Sequence, residues 1–90
     1  MPVTDATWWL YVLECHTGVL YTGIAKDVER RLAQHQAGRA SRYTRSRLPV
    51  ELAWRCEIGT WSEALREERR IKALPRRAKE LLLLEERGAP

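Results

Sequence analysis

The sequence lacks the residues and segments that define several common protein classes. It has only two cysteines, Cys15 and Cys56, whose spacing matches neither a zinc motif nor a disulfide scaffold. No apolar run approaches the roughly 20 residues that a membrane-spanning helix needs. Residues 1–7 contain neither the basic nor the apolar segment of a secretory signal. We therefore expect a cytoplasmic protein with reduced, buried thiols and no membrane partner.

The chain is also short, which limits how it can fold. Its 90 residues are enough for one small domain with a limited core and leave no room for a second. Hydrophobic residues make up 44% of the chain, which is typical of a globular protein and not of a disordered one. No repeat or linker divides it. We predict a single domain at residues 8–87, with tails at residues 1–7 and 88–90.

Positive charge is concentrated in one part of the chain. The whole sequence has 16 Lys and Arg against 12 Asp and Glu, a net charge of +4 that favours a polyanionic partner. Between residues 26 and 47, seven cations face two acidic residues, and this local excess of five is larger than the net charge of the whole chain. The seven are Lys26, Arg30, Arg31, Arg39, Arg42, Arg45 and Arg47.

A β-hairpin is predicted near the start of the chain. Residues 8–15 are rich in aromatic and β-branched side chains, and a short segment of turn residues separates them from residues 19–23. Pairing across the hairpin brings Tyr11 within reach of Tyr21 or Thr22. Two phenols can therefore share one face of the sheet, although the sequence does not fix the register.

A third strand is predicted at residues 50–58, where apolar and polar side chains alternate. Strict alternation puts all the apolar side chains of this strand on one side of the sheet, namely Val50, Leu52, Trp54, Cys56 and Ile58.

Helix-capping residues mark three helices. Asp27 is a good N-cap for a helix that ends near Gly38, and a basic loop without apolar periodicity follows at residues 39–49. The capping box that starts at Thr60 opens a second helix, which runs to about residue 74. Pro75 suits the first turn of a third helix, which ends near residue 87 and whose leucines, Leu81 to Leu84, supply apolar cover.

Three helical side chains are candidates for chemistry. Arg31 and His35 are four residues apart and point the same way. Glu68 lies near the centre of an apolar arc formed by Trp61, Ala64, Leu65 and Ile71. Burying an ionised carboxylate there is costly unless Arg31, a metal ion or both act as its partner. Structural roles remain open: strand tyrosines usually pack, helical arginines are usually solvated, and a histidine on an apolar face is more often a core residue.

Taken together, these residues resemble a known family. Trp9-Leu10-Tyr11 and Tyr21-Thr22-Gly23 match its two motifs in position, and Arg31, His35 and Glu68 follow at matching intervals. The chain closely resembles the GIY-YIG nuclease superfamily over residues 8–87, in particular small stand-alone members similar to the N-terminal domain of excinuclease C. The resemblance implies an α+β fold with a three-stranded antiparallel sheet flanked by helices, in agreement with the order ββαβαα.

The resemblance also implies an activity, the metal-dependent hydrolysis of phosphodiester bonds in DNA, on branched or damaged substrates in repair or recombination. Glu68 is expected to bind Mg²⁺ or Mn²⁺, and Arg31 to contact the phosphate. His35 is expected to orient a phosphate, a water or a tyrosine, and either Tyr11 or Tyr21 to act on the water. Ionising a free phenol at pH 7 costs roughly 4 kcal/mol, so that tyrosine needs positive charge nearby. The remaining cations are expected to contact nucleic acid, namely Lys26, Arg30, Arg39, Arg42, Arg45 and Arg47.

Three departures from the family pattern leave an alternative open. The first motif is WLY, Ile24 occupies a position where some repair nucleases have lysine, and the sequence has no asparagine, which many members use near the metal. The alternative is a weakly active or inactive domain that binds DNA, RNA or a protein partner.

Overall fold

The hairpin forms as predicted, and the structure fixes the register that the sequence left open. The computed structural model describes residues 7–88, and side chains at residues 7–84. The first two strands, β1 and β2, pair antiparallel with Tyr11 opposite Gly23 and Leu13 opposite Tyr21. The turn between them uses Gly18 at φ 83°, a left-handed conformation that favours glycine. Tyr11 and Tyr21 therefore project from the same face of the sheet.

Seven elements follow one another along the chain, and the predicted α+β class is confirmed. The three strands form one antiparallel sheet in the order β2-β1-β3, with β1 at its centre. The elements are β1 (Trp8–Cys15), β2 (Leu20–Ala25), α1 (Val28–Gln36), α2 (Arg42–Arg45), β3 (Val50–Gly59), α3 (Trp61–Lys72) and α4 (Arg76–Gly88).

One face of the sheet packs against α1. The buried core on this side includes Tyr11, Leu13 and Cys15 of β1 together with Val28 of α1. Asp27 caps α1 by accepting a hydrogen bond from the backbone N–H of Arg30, as its side chain predicts. Because α1 is fixed at its start and packed along its apolar stripe, the side chains of its last turn are held against the sheet.

The other face of the sheet is covered as well. Leu10 and Val12 alternate with the residues above and are buried, as are Ala64 and Ile71 of α3 and Leu83 of α4. The predicted capping box at Thr60 is present at the start of α3.

The predicted apolar faces of α3 and α4 are only partly buried. The Trp61 side chain is 52% exposed because it lies in the first turn of α3, outside the helix-to-sheet contact. Leu81 and Leu84 are also exposed, since only one stripe of α4 meets the rest of the molecule.

Strand β3 departs from the strict alternation that its sequence predicts. Val12 pairs with Trp54 and Leu13 with Leu52, so Ala53 is an extra residue in a β-bulge. The prediction that all the apolar side chains of this strand share one face is therefore wrong. Beyond the bulge Arg55 turns to the α1 side, where it forms an ion pair with Glu29.

The segment predicted as a basic loop contains a short helix, so that prediction is wrong at its centre. Ser41 is the N-cap of α2, and its side chain accepts a hydrogen bond from the backbone N–H of Tyr43. Thr44, three residues after the cap, is completely buried and fixes this helix against α1. Cys15 is buried as predicted, whereas Cys56 is only half-buried because it lies on β3, at the sheet edge.

The predicted limits of the domain, residues 8 and 87, stay a prediction. Residues 1–6 and 89–90, which make up most of the predicted tails, lie outside the described residues. Residue 88 belongs to α4, one residue beyond the predicted end of that helix. Within residues 7–88, no helix has the length and apolar character needed to cross a bilayer.

Candidate active site

His35 lies at the centre of a buried hydrogen-bonded chain. Its side chain is completely buried, with Nε2 3.0 Å from the Tyr11 hydroxyl and Nδ1 2.8 Å from Oγ1 of Thr44. The Thr44 hydroxyl in turn donates to the Ser41 carbonyl at 3.3 Å. Both ring nitrogens therefore have partners, which a buried imidazole requires. The last turn of α1, the centre of β1 and the helix α2 each supply one member.

Both motif tyrosines contact this histidine, but they differ in exposure. The ring centroids of Tyr11 and Tyr21 lie 5.9 Å and 5.2 Å from that of His35, both in edge-to-face geometry. Tyr11 is 2% exposed, whereas Tyr21 is half-buried and also contacts the exposed ring of Tyr43. Solvent and a substrate can therefore reach Tyr21 more readily than Tyr11.

Gly23 provides the space that the Tyr11 ring occupies. A Cβ at position 23 would lie 2.5 Å from the Tyr11 Oη and 2.6 Å from its Cζ, closer than van der Waals contact allows. The backbone at this residue is ordinary extended strand, so the glycine is required for space and not for conformation.

Arg31 and Glu68 border the tyrosines from two helices. The half-buried Arg31 donates to Gln34 Oε1 at 3.0 Å and also faces the Tyr11 hydroxyl as a donor. The carboxylate of Glu68 has a partner that the sequence did not suggest, since Lys72 Nζ lies 3.2 Å from Oε2. The Glu68 side chain is 16% exposed, against 34% for the neighbouring Glu67.

Burial and charge move the pKa values of the two central groups in opposite directions. Burial raises the pKa of Tyr11 above its ordinary value of 10.0, and the Arg31 guanidinium opposes this while Tyr21 and the charge of Glu68 add to it. Burial, followed by the charge of Arg31, lowers the pKa of His35 below 6.5. His35 is therefore neutral near pH 7, with one protonated and one free ring nitrogen.

Comparisons with known proteins agree with this geometry. Residues 7–81 match the model of the GIY-YIG catalytic domain. The chain belongs to the GIY-YIG family. UPF0213 proteins of Yersinia pestis (strain Pestoides F) and Yersinia pseudotuberculosis (serotype O:3, strain YPIII) are 44% identical over 84 residues, covering 93% of this chain and 88% of theirs. The solution NMR structure of the UPF0213 protein BH0048 from Bacillus halodurans is 39% identical with a TM-score of 0.58 and the same coverage.

In this GIY-YIG domain three of the five predicted catalytic residues are in direct contact, and the charges of the other two act on the Tyr11 hydroxyl. Tyr11, Tyr21 and His35 are in contact, Arg31 faces the Tyr11 hydroxyl, and the charge of Glu68 acts on that hydroxyl. The expected family fold is confirmed, while the catalytic role of each residue stays a prediction.

The carboxylate of Glu68 fits a weakly held hard cation. Within the part of the chain whose side chains are described, no three Asp, Glu, His or Cys residues form a metal-binding group. Mg²⁺ does not need such a group, because it keeps several waters and binds through one or two carboxylates plus substrate phosphates. Glu68 can supply that carboxylate once Lys72 releases it. The pair is an i, i+4 contact whose lysine side chain is 53% exposed, so it is weak enough to be displaced.

Five of the six predicted nucleic-acid contacts fall into two groups at opposite ends of α1. Lys26 and Arg30 lie at its start, and the Lys26 ammonium stands 5.5 Å from the ring centroid of Trp8. Beyond its end, a cavity of about 560 Å³ is lined by Arg39, Arg42 and Arg45, with Gly38, Ala40 and Ser41. Arg47 is set apart because it stacks on the Tyr43 ring at 3.9 Å and donates to the Tyr43 carbonyl.

Thr44 is a site residue that the sequence did not indicate. Ser41 followed three residues later by a threonine is compatible with a capped helical turn, which was the available indication of α2. Nothing local predicted the contact with His35, because it depends on how α2 folds back onto α1.

Proposed function

We propose that this protein is a divalent-metal-dependent endonuclease that hydrolyses phosphodiester bonds in DNA. The observation that carries the proposal is the convergence of the tyrosine pair, Arg31, His35 and Glu68 in a chain of the GIY-YIG family. Hydrolysis of a phosphodiester needs a positioned water, a cationic clamp on the phosphate and stabilisation of the leaving group. These residues can meet each requirement.

We assign the water to Tyr21, since its ring is accessible while Tyr11 is buried. The Tyr21 hydroxyl orients the attacking water. The guanidinium fork of Arg31 binds two phosphate oxygens, an interaction that a lysine would not reproduce. Tyr11 and His35 support this clamp from below, because the hydroxyl that Arg31 faces is itself held by the histidine.

Glu68 is the proposed ligand of Mg²⁺ or Mn²⁺. Such a cation, when bound, stabilises the charge that develops on the phosphate and the leaving oxygen. Its binding requires the carboxylate to be ionised and released by Lys72.

The proposed substrate is DNA of branched, damaged or single-stranded structure, contacted through its phosphates. Lys26, Arg30 and the arginines that line the cavity after α1 give salt-dependent affinity with little sequence preference. We further propose a cytoplasmic location, where a buried thiol such as that of Cys15 stays reduced, and a role in repair or recombination.

Cleavage of a labelled panel tests the proposal. The panel contains single-stranded, duplex, flap and four-way DNA, plus RNA, each with Mg²⁺, Mn²⁺ or EDTA. Wild type is compared with Glu68→Gln, and Glu67→Gln is the matched control because that side chain points away and pairs with Arg70. We expect metal-dependent cutting that is lost in Glu68→Gln and kept in Glu67→Gln, with DNA binding unchanged in both.

Equal cutting by both variants would contradict the role of Glu68. Salt-sensitive binding without cutting by any of the proteins would contradict the enzyme and favour the alternative, a GIY-YIG domain that serves as a binding module. In that case the relevant partner is the nucleic acid of the panel that binds most tightly, or a protein recovered with the chain in stoichiometric amount.

A further inference from the structure

The donors and acceptors around His35 can be counted, and the count fixes the position of its proton. Three donors are available, namely one ring N–H of neutral His35, the Tyr11 hydroxyl and the Thr44 hydroxyl. Three acceptors face them when Nδ1 carries the proton: Oγ1 of Thr44, Nε2 of His35 and the Ser41 carbonyl. Every donor then has an acceptor, as buried polar groups require.

The Nε2–H tautomer leaves the Tyr11 hydroxyl hydrogen without an acceptor. If Nε2 carries the hydrogen, it donates to the Tyr11 oxygen, which the Arg31 guanidinium also faces as a donor. The Tyr11 hydroxyl must then turn its own hydrogen away, and the hydrogen bonds described for residues 7–84 include no second acceptor for it. A buried unsatisfied donor costs about 1–3 kcal/mol, enough to decide between tautomers of similar intrinsic energy.

The hydrogen bonds therefore run in one direction through the site. Arg31 faces the Tyr11 oxygen, Tyr11 donates to Nε2, Nδ1 donates to Thr44, and Thr44 donates to the Ser41 carbonyl. The last acceptor belongs to the N-cap of α2, whose carbonyl also receives the Arg45 backbone N–H. The orientation of the Tyr11 oxygen is thus determined by α2, an element that is distant from β1 along the chain.

We propose that Thr44 is a positioning residue: its hydroxyl selects the Nδ1–H tautomer of His35 and, through Tyr11, holds an oxygen lone pair toward Arg31. The catalytic consequence rests on the proposed nuclease function, in which Arg31 clamps the phosphate. The effect on the His35 tautomer does not rest on that function, because it can be measured in the protein without substrate.

Two substitutions separate the effect of the Thr44 hydroxyl from the effect of the side-chain volume. Thr44→Val keeps the volume but removes the acceptor, so either tautomer leaves one donor unsatisfied: Nδ1–H in the first and the Tyr11 hydroxyl in the second. The preference for Nδ1–H is then lost, and both tautomers are expected to be populated. Thr44→Ser keeps the hydroxyl and retains the Nδ1–H tautomer. If Arg31 loses its alignment in Thr44→Val, we expect kcat for DNA cleavage to fall about 100-fold, the scale of a misplaced catalytic group, and to recover in Thr44→Ser.

The test is a long-range ¹H–¹⁵N correlation spectrum of the histidine rings at pH 7.5, recorded on the full chain. The protein has two histidines, and His16→Gln assigns the signals. We expect Nδ1–H alone for wild type and Thr44→Ser, and a mixture of Nδ1–H and Nε2–H for Thr44→Val. A wild type with Nε2–H overturns the inference even if Thr44→Val does not fold, and so does Nδ1–H alone in a folded Thr44→Val.

Combined with the spectra, the cleavage assay distinguishes a failure of the proposed role of Thr44 from a failure of the proposed nuclease function. Tautomers that change as expected in a protein that cuts none of the nucleic acids refute the proposed nuclease and support the role of Thr44 in orienting His35. Cutting by wild type with equal kcat in Thr44→Val refutes the positioning role instead.

Discussion

Adding one methyl group at Gly23 tests whether the second motif glycine exists to accommodate the Tyr11 ring. In Gly23→Ala the new Cβ would lie 2.5 Å from Oη and 2.6 Å from Cζ of Tyr11. Carbon atoms in contact sit about 3.5–4.0 Å apart, so the ring must move by about 1 Å. Tyr11 is 2% exposed and therefore has little room in which to move.

The loss of stability expected in Gly23→Ala has two parts. Overpacking a well-packed core costs about 1–3 kcal/mol. A shift of that size also breaks the 3.0 Å hydrogen bond to His35 Nε2, worth about 1 kcal/mol or more when a buried group is left unsatisfied. We expect Gly23→Ala to lower the free energy of unfolding by about 2–4 kcal/mol, a large part of the stability of a 90-residue domain.

A double-mutant cycle in urea isolates the contact between the two residues. Tyr11→Leu removes the distal ring atoms that the new methyl group would meet, so Gly23→Ala in that background should be close to neutral or stabilising, since Gly to Ala in a compatible backbone with free space stabilises by about 0.4–1 kcal/mol. A coupling energy of about 2 kcal/mol or more is expected. An equal cost of Gly23→Ala in both backgrounds would refute the steric explanation and assign the loss to the backbone of β2.

Three further predictions concern charge. Because the pKa of His35 is lowered in the fold, the unfolded chain binds the extra proton more readily. Urea unfolding should therefore show stability that is present above pH 6.5, the ordinary pKa of histidine, and is lost progressively as the pH falls below it, a slope absent in His35→Leu. Arg31→Ala should abolish cleavage while changing the melting temperature little, with Arg77→Ala, an exposed helical arginine outside the predicted nucleic-acid contacts, as control; unfolding of Arg31→Ala would show that its role is structural. Arg42→Gln and Arg45→Gln should each reduce the slope of log affinity against log salt by about one, and an unchanged slope would exclude the cavity after α1 as the DNA track.

The sequence predicted the features that local interactions determine. The N-caps Asp27 and Thr60 act on backbone groups two or three residues away, so the helices they start could be recognised without knowledge of the tertiary fold. The same holds for the hairpin strands and for the shared direction of Arg31 and His35. The resemblance to the family then brought Tyr11 and Glu68 into the same hypothesis.

What the sequence could not predict depends on contacts between distant segments. The bulge at Ala53 forms where β3 pairs with β1 on both sides of it, and it reverses the orientation of residues 54–57 relative to a strictly alternating strand. A second register shift follows at residue 58. The partner of Glu68 was missed for a different reason. The pair that Glu68 forms with a lysine at i+4 is of a kind that is usually weak and exposed, so the sequence gives Lys72 no preference over Arg31 or a metal ion as the partner. Thr44 was missed because its partner lies on another helix.

The buried polar chain is the feature of this fold that stability alone does not explain. A domain of this size has little free energy to spare, and an apolar core of the same volume would avoid the desolvation of an imidazole and two hydroxyls. His35 and Thr44 are nevertheless completely buried, and each of their polar atoms has a partner. A fully satisfied network of this kind fixes one geometry, whereas a partly satisfied one is worse than none. Its value therefore lies in what it orients. The half-buried Tyr21 and Arg31 stand on top of this chain, at the position where a phosphate and a water can reach them.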